Sequence, residues 1–163
     1  MTDFIFQYYS DYEDGRMARL ETVGEEAGGV PVNIFIDNAS EHETLRKGPC
    51  VVDVSGVGND FEIFASEEEY NAKGCFMASV AMIPMGVFSS DPENKSFEES
   101  PHILFSGKVT GVEYNDPAPE DQPNCCLTIE TYGLTFDYYI RYGERVAPGS
   151  IVHGVAWLFG DIQ

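Results

Sequence analysis

Apolar and polar residues alternate most regularly between Cys125 and Ile140. With Tyr132-Gly133 as a two-residue turn, Thr131 opposes Leu134, Ile129 opposes Phe136, Leu127 opposes Tyr138 and Cys125 opposes Ile140. These positions share one face, while the pairs Glu130–Thr135, Thr128–Asp137 and Cys126–Tyr139 share the other. One apolar and one mostly polar face is what a half-buried antiparallel hairpin requires. Gly133 supplies the positive φ that a tight turn uses. The spacing therefore predicts two strands and fixes their register.

The same alternation marks strands elsewhere. Phe4, Phe6 and Tyr8 interleave with Ile5, Gln7 and Tyr9, which predicts a first strand apolar, and so covered, on both faces. A turn at Asp11–Gly15 leads into a second strand over Arg16–Val23, paired back on the first. After a polar loop at Glu25–Gly29, Val30, Val32, Ile34 and Ile36 share one face of a strand ending at Asp37-Asn38. Cys50–Ser55 and Asp60–Ala65 read as strands joined by a bend at Gly56–Asp60. The apolar run Phe76–Phe88 reads as strand broken near Pro84-Met85-Gly86, with Met77, Met82 and Met85 filling the core rather than lining a groove.

Two short helices carry capping punctuation. Ser40 with Glu43 and a closing Gly48 predicts a helix over Glu41–Lys47, and Ser66 with Glu69 and Gly74 predicts one over Glu67–Lys73. Each is about two turns long, so packing must hold it. Ser89–Pro101 reads as an exposed acidic connection between an N-terminal part and a C-terminal sheet. Beyond it, Ile103, Phe105 and Val109 face inward with Gly107 and Gly111 in phase, which suits a coiled strand. A Pro-rich loop at Asn115–Asn124 precedes the hairpin, and a turn at Ala147–Ser150 follows it. In the last strand Gly154, Ala156 and Gly160 oppose His153, Val155, Trp157 and Phe159, as a bent closing strand would.

Composition narrows the function classes. The chain of 163 residues, 43% of them hydrophobic, is long enough to bury a core. Its 28 acidic and nine basic residues give a formal charge of −19, which repels phosphate backbones and anionic membranes and draws in cationic partners. No basic segment followed by an apolar run marks a secretory signal, and no stretch approaches the roughly 18 apolar residues of a spanning helix. Cys50, Cys75, Cys125 and Cys126 show no CxxC spacing, and the adjacent pair points to opposite faces. Reduced cysteines and a cytoplasmic location follow as the expectation.

The inventory for common chemistries is missing. There is no GxSxG elbow, phosphate-binding Gly loop, HExxH or dinucleotide fingerprint. His42, His102 and His153 are too dispersed for a local metal motif; His102 is expected exposed and His153 satisfied within the sheet. Asp11, Glu13 and Asp14 lack the later ligands of a calcium loop, and Glu130 with Asp137 reads as a wet surface. No catalytic residue, metal or cofactor is expected. Tyr132, Tyr139 and Arg141 are the candidate binding residues, an aromatic and cationic group suited to bases or to a protein interface.

Three stretches, Phe105–Val112, Ile129–Phe136 and Pro148–Gly160, resemble parts of an OB-type barrel through their glycine and strand spacing. That resemblance implies a small Greek-key barrel with a ligand-binding face. The basic groove of a nucleic-acid-binding OB domain has no counterpart among the nine Lys and Arg residues. The expected architecture is mainly β, with a curved antiparallel sheet or small OB-like barrel, N-terminal strands and two short helices. One domain spans residues 1–163, with the sheet over 102–163 and a β-rich part over 1–90 packed on it. The expected function is a non-catalytic binding or adaptor module for a protein partner, possible basic partners being toxins or nucleic-acid enzymes held by an acidic inhibitor. An OB-type nucleic-acid binder and an enzyme with an unrecognised site are the alternatives.

Overall fold

The computed structural model describes residues 1–24, 29–85, 100–115 and 117–163. Its strands are β1 (Thr2–Tyr12), β2 (Gly15–Thr22), β3 (Pro31–Ile36), β4 (Gly48–Val57), β5 (Phe61–Phe64), β6 (Ala81–Met85), β7 (His102–Tyr114), β8 (Cys125–Thr131), β9 (Leu134–Ile140) and β10 (Ile151–Ile162). Pairing runs β1-β2-β3-β10-β7-β8-β9-β4 and returns to β1, which closes an eight-strand barrel. The N-terminal strands thus belong to the same hydrogen-bonded circuit as residues 102–163. An antiparallel β4–β10 ladder crosses that circuit, from Leu158↔Gly56 to Ile162↔Val52. Most ladders are antiparallel, and β4–β9 and β10–β3 are parallel.

The β8–β9 hairpin has the register that alternation predicts, from Cys125↔Ile140 to Thr131↔Leu134. Its inner face is buried, and Gly133 takes φ 70° at the turn. Thr131, buried on the apolar face, is satisfied because its hydroxyl lies 2.8 Å from the Ser106 carbonyl and 3.0 Å from that of Ala81. Phe105 of β7 stands over this face, with ring centroids 5.2 Å from both Phe136 and Tyr138. Ile103 and Val109 point inward as expected, and a register shift between Val109 and Gly111 bends β7.

β10 closes the barrel because each of its ends serves two partners. Residues Ile151–Trp157 pair with β7 and Ile151–Gly154 with β5, while Leu158–Ile162 pair with β4. Its small residues face inward. A Cβ on Gly154 would lie 2.6 Å from Phe61 Cβ and 2.7 Å from the Asp60 carbonyl, so only glycine lets β5 approach this closely.

Three expectations need correction. β1 is not covered on both faces: a bulge at Gln7, between Phe6↔Leu20 and Tyr8↔Arg19, inverts the alternation. Tyr9 then joins Phe6 on the core side at 4.8 Å between ring centroids, and Tyr8 turns to solvent. The helix expected over Glu41–Lys47 is only a 3₁₀ turn, Ala39–Glu41. Asn38, at its cap, spends its amide on both backbone groups of Ile162, 2.8 and 2.9 Å away, and so anchors β10 instead. Met85 is exposed on β6, although Met77 and Met82 are core residues.

The second helix, α1 (Glu67–Ala72), forms as its punctuation requires. Ser66 Oγ accepts the Glu69 amide at 3.1 Å, and Glu69 Oε2 accepts the Ala65 amide at 2.9 Å. Tyr70 carries α1 onto the barrel, packing with Phe64 and Ile151. The loop expected at Glu25–Gly29 and the connection at Ser89–Pro101 lie mostly outside the described residues. Among the described residues, no helix is long and apolar enough to cross a membrane.

Candidate functional site

An open cleft of about 900 Å³ lies where the bend after β4, the loop before β8 and the end of β9 meet. Phe61, Tyr142 and Trp157 supply aromatic walls, and Asp60, Glu120 and Asp121 supply carboxylates. Phe61 sits edge-on to Tyr142 at 5.8 Å and to Tyr138 at 6.1 Å. Tyr138 backs the Phe61 wall: its hydroxyl donates to the Val155 carbonyl at 2.8 Å, and burial raises its phenol well above the usual range. The bend itself is tied to β10 by the Val155 amide, which donates to the Asp60 carbonyl at 3.0 Å.

Of the three candidate binding residues, Tyr139 and Arg141 line this cleft. Tyr132 does not: it sits in the turn between β8 and β9, seven residues before Tyr139 and roughly 20 Å away at strand rise. Arg141 has a different use from the one its sequence position suggests. Its Nη1 donates to the carbonyls of Pro119 at 2.8 Å and Gln122 at 2.7 Å, pinning the loop that forms one wall. Asn124 reinforces that wall through paired hydrogen bonds with the backbone of Tyr142, 2.8 and 2.9 Å long. Bonding to carbonyls leaves the Arg141 charge in place, but three carboxylates outnumber it and make the cleft net acidic.

His102 is half-buried in the cleft rather than exposed, because its β7 position sits between Trp157 on β10 and Met85 on β6. Burial lowers its imidazole below the ordinary value. The folded-state pKa therefore lies under the unfolded one, so stability from this group is complete above about pH 6.5 and falls as pH drops below it. His102→Gln should flatten the decline of melting temperature between pH 7 and 5 relative to the parent chain. An unchanged profile would remove the effect.

A serine–histidine contact also emerges that local sequence reasoning missed. Ser106 Oγ lies 2.8 Å from His153 Nδ1 and 2.7 Å from the Tyr70 hydroxyl, which in turn donates to the Met77 carbonyl at 2.9 Å. Ser106 is fully buried beneath Tyr70, so its hydroxyl has no path to a substrate. The chain satisfies buried polar groups where α1 meets the sheet. The only prior signal was strand register, since Ser106 and His153 are ladder partners. Cys126, opposite Tyr139, is held protonated: burial and the Asp137 carboxylate push its thiol up to about 11. A thiol in that state is a poor nucleophile and a poor metal ligand. Among the described residues, no three His, Cys, Asp or Glu side chains are grouped to hold a metal ion.

Comparisons with family models, curated proteins and solved structures found no match to this chain. Its class rests on architecture: a strongly acidic, closed β-barrel with an aromatic, carboxylate-lined cleft at one edge.

Proposed function

We propose that this chain is a non-catalytic binding module that takes a cationic segment of a protein partner into the cleft. The observation that carries the reading is the pairing of aromatic walls with three carboxylates, which outnumber the single arginine that pins the loop. A Lys or Arg side chain gains both cation–π attraction and charge-assisted hydrogen bonds in such surroundings. The −19 charge adds long-range attraction and speeds association with a basic partner, such as a toxin or nucleic-acid enzyme that this chain would inhibit. The cytoplasm suits Cys50, Cys75 and Cys126, all carried as thiols.

Calorimetric titration with a lysine-rich peptide tests the proposal. Affinity should fall at least about tenfold from low to high salt, where the Debye length shrinks below 10 Å. Asp60→Asn with Asp121→Asn should cost about another tenfold at low salt, or about 1.4 kcal/mol. Equal affinity for parent and variant removes the cleft from the reading. A nucleic-acid role is the rival: binding of a single-stranded oligonucleotide, but not of the peptide, at low salt would favour it.

A further inference from the structure

Strand register places a second surface beside the cleft. Trp157, His102 and Met85 form one row across β10, β7 and β6, and Val155, Leu104 and Ile83 form the next. Their chain neighbours Ile103, Phe105 and Ala156 point into the core, so both rows lie on the outside of the barrel. Burial decreases toward β6, which pairs only with β7 among the described residues. Val155 and Leu104 are half-buried, whereas Ile83 is 45% and Met85 42% exposed. Phe76, 75% exposed, stands edge-on to His153 in the adjoining row at 5.9 Å.

Scattered exposed apolar residues need no explanation, but an aligned apolar face does. This face is continuous with the cleft, since Trp157, Val155 and His102 belong to both. Charge decides between occupants. A second copy would bring another −19 to the same surface, and like-charge repulsion opposes that approach. A basic partner is attracted instead, and the carboxylates Asp60, Glu120 and Asp121 lie at the cleft end of the face.

Resting on the cleft reading above, the geometry points to an amphipathic basic segment as the partner's recognition element. Its apolar side chains cover Ile83, Leu104 and Val155, while a basic residue at one end enters the cleft. Apolar contacts on the sheet then supply affinity, and the cleft supplies selection for charge.

Two synthetic peptides of equal length and charge test this, one with lysines separated by leucines and the other with lysines separated by serines. The leucine-containing peptide should bind at least about tenfold more tightly, as burial of one or two aliphatic side chains allows. The double substitution Ile83→Ser and Met85→Ser should abolish that difference and leave the serine-containing peptide unaffected. Both side chains are already exposed, so thermal melting should show the variant folded. Equal affinities for the parent, or a difference that survives the double substitution, overturn the inference and leave the cleft reading standing. Failure of both peptides to bind overturns the cleft reading and the inference together. A dimer seen by sedimentation and lost in the double variant assigns the face to a second copy and also overturns it.

Discussion

Phe105→Ala is expected to lower the unfolding free energy by about 3–5 kcal/mol, read from the midpoint of urea denaturation. Phe105 is fully buried near the start of β7, between Gly154 of β10 and Met82 of β6. Its ring meets Phe136 and Tyr138 edge-on, so truncation empties a volume that three strands share. The surrounding ladders hold those strands in place, and a cavity bounded by fixed backbone collapses poorly. Domains of this size have total stabilities of about 5–15 kcal/mol, which makes the loss a large fraction of the whole. A cost under about 1 kcal/mol would mean that β7 does not pack across the barrel in this way.

Gly58→Ala should damage both the fold and the cleft. A Cβ there would lie 2.2 Å from the Tyr138 hydroxyl oxygen and 2.4 Å from the Val155 carbonyl oxygen, two atoms already bonded to each other. The φ of Gly58 is outside the left-handed region, so the obstacle is space rather than backbone conformation. Either the bend moves away from β10 or the Tyr138 hydrogen bond breaks and leaves a buried polar group unpaired. Overpacking of this kind costs about 1–3 kcal/mol. Because the bend ends at Asp60 and leads directly into Phe61, lysine-peptide affinity should fall with stability, and calorimetry on the folded variant separates the two. Parent-like stability and affinity together would contradict the close approach.

The hairpin shows how much of this was legible in advance. A period of two, a glycine at the turn and two equal arms leave one register that buries Leu127, Ile129, Leu134, Phe136, Tyr138 and Ile140 together, and that register forms. Ser66 and Glu69 announced α1 because a cap is a contact between residues three apart. The same punctuation at Ser40 was misleading: Ser40 lies inside the 3₁₀ turn, and Asn38 at its cap bonds the distant Ile162 instead of the turn. The bulge at Gln7 was equally hidden, since one inserted residue changes the faces of β1 without changing its composition.

The cleft divides in the same manner. Tyr139 and Arg141 could be placed on one outer side by parity, whereas Tyr132 was grouped with them only by chemistry. Asp60, Trp157 and Glu120 come from segments far apart in the chain and meet only because the barrel closes.

Alternation, turns, caps and charge are properties of neighbouring residues, and they determined that this protein is mainly β, hairpin-built and strongly acidic. Tertiary structure alone decided that β10 joins β3, β4, β5 and β7, and that carboxylates and aromatic rings face one another across the resulting edge. The reason is physical: a ladder between distant strands depends on which core volumes interlock once the sheet curves, and no local period carries that information.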